Sequence, residues 1–140
     1  MKKLTLVVLA GLLLAGCEKP TPTVTAATVG SSERAKSICW STKAEQAIGS
    51  DCSVNQALIK SLSVTPGEFV GFSVDPEIAE SGWLVFANGT QVTQRLTKKY
   101  YRFNTAENSF QNGPLQIEIY ALTNNNRARG VWGFTLTEKR

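Results

Sequence analysis

The chain has 140 residues, 42% of them hydrophobic, with 15 basic and 11 acidic side chains, a formal net charge of +4, three cysteines and no histidine. That length suits one domain around a single core. Without histidine a serine triad is excluded, no Ser-x-x-Lys run supplies the lysine-based variant, and a pair of thiols is not a zinc site, so no metal is expected.

Lys2 and Lys3 head eleven residues, Leu4 to Leu14, that are apolar except for Thr5 and Gly11, and the small Ala15 and Gly16 then precede Cys17. This is the layout of a secretory signal, and it is shorter than the roughly 20 apolar residues of a membrane span. The run Leu14, Ala15, Gly16, Cys17 resembles a lipobox, in which the cysteine thiol receives a diacylglyceryl group before cleavage. It predicts a signal peptide over residues 1–16 and a bacterial lipoprotein held at the extracytoplasmic face of the cell membrane by palmitate-type chains on Cys17. No twin arginine precedes the apolar run, which points to export of an unfolded chain, and no cofactor is expected. Removing Lys2 and Lys3 leaves 13 basic and 11 acidic side chains, a balance that gives nucleic acid binding little support.

From Glu18 to Thr23 the chain reads EKPTPT. Proline fixes φ and removes a donor, so residues 17–23 are read as the lipidated cysteine and an extended tether of roughly 20 Å. Residues 24–140 are read as the domain. There, short β-branched and aromatic runs alternate with turn residues, which predicts an all-β fold. Val24–Val29 and Ser37–Thr42 are expected as early strands, with a short helical turn over Ala44–Ile48. Cys39 and Cys52 are expected to pair in a compartment that permits disulfides, closing a 14-residue loop worth about 3 kcal/mol in the chain-entropy model. Trp40 would pack beside the bridge.

Leu58, Leu62 and Val64 mark a third strand, and Val70, Phe72 and Val74 alternate with Gly71 and Ser73 at period two. Asp75, Pro76 and Glu77 carry a helix-start signature, with Asp75 as the cap and Gly82 as the stop. Trp83–Ala87 and Thr90–Leu96 should form a hairpin, because Asn88 and Gly89 supply the two positive φ values of a type I′ turn. Lys98–Phe103 reads as a strand, Thr105–Phe110 as an irregular or helical piece, and Leu115–Leu122 as a strand closed by the turn Asn124–Asn126. In the last strand, Gly130–Leu136, one face holds Trp132, Phe134 and Leu136. Together, about seven short strands predict an immunoglobulin-like β-sandwich following a cleaved lipoprotein signal peptide, with Trp83 and Trp132 as large core residues.

Glu77 and Glu80 would share a helical face, but a glycosidase needs two carboxyls set across a cleft, and solvated charges explain the pair more simply. Arg95, Lys98, Lys99 and Arg102 are interleaved with Tyr100, Tyr101 and Phe103, a pattern that can grip an anionic polymer by charge and stacking. Alternation divides that set: Lys98, Tyr100 and Arg102 fall on one face, Lys99, Tyr101 and Phe103 on the other, and one aromatic set belongs to the core. A solvated sheet face is the plain alternative to a binding patch. Asn88, Gly89 and Thr90 also spell a glycosylation sequon, which the hairpin turn already explains.

Four stretches, CEKPTP, SVDPEIAESGWLVFANG, KKYYRF and RGVWGFTL, together with the cysteine pair, resemble an actinobacterial lipoprotein family catalogued only as a domain of unknown function. The resemblance covers most of the chain after the signal and implies a small all-β domain on a lipid anchor, with no catalytic or binding residues to carry over. The chain departs from that pattern in having more Lys than Arg and an Asn triplet at 124–126. The expectation is therefore a non-catalytic interaction lipoprotein, anchored to the membrane through Cys17, that recognises an envelope protein or an anionic wall polymer. Two alternatives stand beside it: a phage- or prophage-encoded superinfection-exclusion lipoprotein, and an envelope hydrolase whose site is not recognisable in the sequence.

Overall fold

The computed structural model describes residues 19–140, so the signal peptide and Cys17 lie outside the described residues. Strand β1 (Thr23–Thr28) reverses at Val29 and Gly30 into β2 (Ser31–Lys36), and the tight turn uses a φ of 86° at Gly30 that a side chain would resist. The sequence SSERAK hides β2. It is an edge strand on which only Ala35 is fully buried, so it shows no alternation of apolar and polar residues. The expected strand over Ser37–Thr42 is correspondingly reduced to β3 (Cys39–Trp40).

Between the cysteines the expected helical turn over Ala44–Ile48 is cut to a single hydrogen-bonded turn at Ala44 and Glu45, closed by Gln46 N donating to Lys43 O at 3.1 Å. The amides of Ile38, Ser41 and Ile48 donate to the carbonyls of Val131, Arg129 and Ala128 at 2.8–2.9 Å, so the Ile48 amide is taken by the strand edge and does not extend the turn. Leu58 falls in a 3-10 turn over Gln56–Leu58 and not in the strand that follows, β4 (Lys60–Val64).

The alternation at Val70, Phe72 and Val74 forms β5 (Phe69–Val74), and helix α1 (Pro76–Ser81) begins and ends where the Asp-Pro and Gly signals place it. Asp75 does not cap that helix with its side chain. Its carboxylate accepts from Thr23 N at 2.7 Å and from Thr23 Oγ1 at 3.2 Å, tying the start of β1 to the end of β5. The hairpin of β6 (Trp83–Ala87) and β7 (Thr90–Gln91) turns on positive φ at both Asn88 and Gly89. The return strand is interrupted after Gln91. Leu96, two residues later than even pairing would place it, bridges Trp83, and the Thr93 hydroxyl accepts from Val85 N. Strands β8 (Tyr100–Asn104), β9 (Leu115–Leu122) and β10 (Ala128–Glu138) complete the chain.

Two sheets pack face to face: β2-β1-β5-β8, and β3-β10-β9-β6-β7 with β4 running parallel to β10 on the edge that β3 also uses. This is the expected all-β sandwich. Nine of the ten strands fall where the sequence predicts one, with β3 and β7 shortened to two residues, and the tenth is β2, which its polar sequence hides. Val24, Val70 and Phe72 from one sheet meet Ile119, Trp132 and Phe134 from the other, with the Phe72 and Phe134 rings 5.7 Å apart. Both buried tryptophans satisfy their indole N–H: Trp83 donates to Lys98 O at 2.8 Å and Trp132 to Pro22 O at 3.0 Å.

Candidate functional site

The disulfide between Cys39 and Cys52 closes the expected loop, with the two Cα atoms 6.0 Å apart. Trp40, next to it, packs against Trp132 with the ring centroids 5.8 Å apart and the planes tilted by 54°, and the guanidinium of Arg129 lies over its face at 4.1 Å. The loop runs along the edge of β10, where Ser41 N and Ile48 N donate to Arg129 O and Ala128 O. A Cβ on Gly133 would meet Ile59 at 3.1 Å and Ile38 at 3.3 Å, so the residues on either side of the loop cover the outer face of β10 at this position. Beside the loop a groove of about 680 Å³ runs between Ile38, Ile48 and Ile59 and the outward residues Tyr120, Val131 and Thr135. Sequence reasoning missed it. The Ile residues were visible, but nothing local said that the loop folds back along a strand eighty residues later.

The expected basic and aromatic patch is divided by the fold. Tyr100 and Arg102 point outward from β8, while Tyr101 and Phe103 pack on the core as alternation requires. Arg102 lies over the ring of Phe69 at 3.7 Å, a cation–π contact on the neighbouring strand. Tyr100 lies across Gly71, where an added Cβ would stand 2.5 Å from the phenol oxygen, so glycine is what lets the ring lie flat. Phe69 is 44% exposed and Tyr100 54%. In register with them across the sheet, Arg34 and Thr25 align with Ser73 and Tyr100, and Ser32 and Ala27 with Gly71 and Arg102. The outward positions of these four strands hold no carboxylate. Arg34 and Phe69 were not singled out in the sequence. Phe69 could have been, since it continues the alternation of β5 onto the opposite face.

The remaining members of the patch lie elsewhere. Lys98 and Lys99 sit in the bend before β8, beside Pro76, Ala79 and Glu80 of the helix. Arg95 reaches the far end of α1, where it donates to Ser81 O and Asn126 Oδ1 at 2.6 Å each. Glu77 is held between Arg129 and Lys19, each 3.2 Å away, and does not form an open pair with the exposed Glu80. Among the described residues no three His, Cys, Asp or Glu side chains gather as a metal site would require.

No family model and no curated protein matches the chain. Among solved structures it is similar to the fibronectin(III)-like modules of Clostridium thermocellum CbhA, with 16% identity and a TM-score of 0.44 over 61% of this chain and 95% of that one.

Proposed function

We propose that the protein is an envelope lipoprotein whose sandwich is a non-catalytic binding module, and that the outer face of the four-stranded sheet takes an anionic polymer of the envelope. One observation carries this reading. Arg34, Phe69, Tyr100 and Arg102 stand on a single sheet face whose outward positions hold no carboxylate. Guanidinium forks pair with phosphate or carboxylate groups along such a polymer, and the exposed rings offer flat apolar area to whatever links them. Nothing in this arrangement requires a reacting group. A lipid on Cys17 would hold the module among polymers of that kind.

Titration with a poly(glycerol phosphate) chain, followed by calorimetry, tests the proposal. Binding should weaken about tenfold in Arg34→Ala/Arg102→Ala and comparably in Tyr100→Ala, while Arg140→Ala behaves as the parent. Equal affinity for an uncharged dextran, or no loss in the sheet-face variants, would overturn it.

A further inference from the structure

Strand direction collects charge of one sign at one end of the sandwich. Thr23 opens β1 opposite Lys36, the last residue of β2, and Val74 at the end of β5 donates its amide to Lys99 O at 2.9 Å. Lys98 lies beside the helix that follows β5, and Arg95 is fixed to the end of that helix and to the turn that contains Arg127. Lys19 reaches the same helix through Glu77. Lys36, Arg95, Lys98, Lys99 and Arg127 are exposed and make no ion pair among the described residues.

Carboxylates at this end offset only part of that charge. Asp75 accepts two bonds from Thr23 and Glu77 is already shared by Arg129 and Lys19, which leaves Glu80 on the helix and Glu45 in the cysteine loop exposed without a cationic partner among the described residues. The chain also leaves the fold here, because Trp132 Nε1 holds Pro22 O at 3.0 Å. Five peptide steps separate Pro22 from Cys17, a span of about 17 Å when fully extended.

We infer that this end is a membrane-seating surface, whose lysines and arginines rest on the anionic headgroups of the bilayer that holds the lipid on Cys17. The inference depends on the lipid anchor proposed above. Basic side chains act on such a surface only within a Debye length, about 8 Å at physiological salt, and the short connection keeps them near that range. Seated this way, the sandwich stands with its β1–β2 turn pointing away from the membrane and its outer sheet face accessible from the side.

Hydrogen–deuterium exchange on the full-length lipidated protein tests this, in vesicles of phosphatidylcholine alone and of phosphatidylcholine mixed with phosphatidylglycerol. Protection over residues 75–81 and 96–99 should appear only in the mixed vesicles and fade at raised salt. Lys98→Glu/Lys99→Glu should abolish it while leaving exchange at the β1–β2 turn unchanged, and should weaken binding of unlipidated protein to the mixed vesicles by about tenfold or more. Protection in both vesicle types, in neither, or only when an anionic wall polymer replaces the vesicles would overturn the inference. The mass of the peptide that begins at Cys17 reports the anchor separately. An unmodified cysteine there counts against the lipoprotein reading, whereas the unlipidated binding assay still decides whether this end seeks anionic lipid.

Discussion

Arg129 is only 4% exposed, and its charge is answered on every side. Its guanidinium donates to Ser41 O at 3.1 Å, to Thr42 O and Glu77 Oε1 at 3.2 Å, and to Ser81 Oγ at 3.4 Å, while its flat face covers Trp40. Arg129→Met removes the donors and leaves two loop carbonyls and a carboxylate to find water. It should cost about 3 kcal/mol in urea unfolding, and Arg129→Lys should recover little, since one ammonium cannot span the same fork. Tyr120 is the other residue whose surroundings alter its chemistry. Burial first, then its hydrogen bond to Glu118 and the charge of that carboxylate, push the phenol up to about 12. An unfolded tyrosine ionises near 10, so the folded state keeps its proton longer. The stabilisation is whole below about pH 10 and is lost as pH rises through about 12. Tyr120→Phe should flatten this alkaline loss, as measured by denaturant midpoints across that window.

At the scale of elements, β10 organises the molecule. It pairs with β9 along one edge and with β3 and β4 in succession along the other, and Ile38 and Ile59, on either side of the cysteine loop, cover its outer face at Gly133. Cys39→Ser/Cys52→Ser releases that loop and should lower stability by about 3 kcal/mol. Native-state exchange should locate the loss: the amides of Ile38, Ser41 and Ile48, which bond to β10 carbonyls, should exchange faster, while β1 and β5 keep their protection. What could be foreseen among the elements depended on local chemistry. Asn88 and Gly89 admit one kind of turn, the alternation of Leu115, Ile117 and Ile119 defined β9 to the residue, and Pro76 and Gly82 bracketed the helix. Strand β2 escaped because both of its faces are largely polar, and the cysteine loop escaped because its backbone partners lie on a strand far along the chain.

Across the whole molecule, the basic and aromatic string from Arg95 to Phe103 illustrates what a linear reading can and cannot deliver. Alternation correctly separated Tyr100 and Arg102 from Tyr101 and Phe103. It could not join Tyr100 and Arg102 to Phe69 and Arg34, because cross-strand register is a property of the assembled sheet. Nor could it show that Lys98, Lys99 and Arg95 leave that face for the end where the chain enters the fold.

The bond from Trp132 to Pro22 has a mechanical consequence. A pull on the chain ahead of Pro22 passes into β1, which is laddered to β2 on one side and β5 on the other, and into β10 through the indole. Traction along β1 loads its rungs together as a lap joint instead of peeling them one after another. The sandwich is thus built to bear tension at the point where the chain enters its first strand.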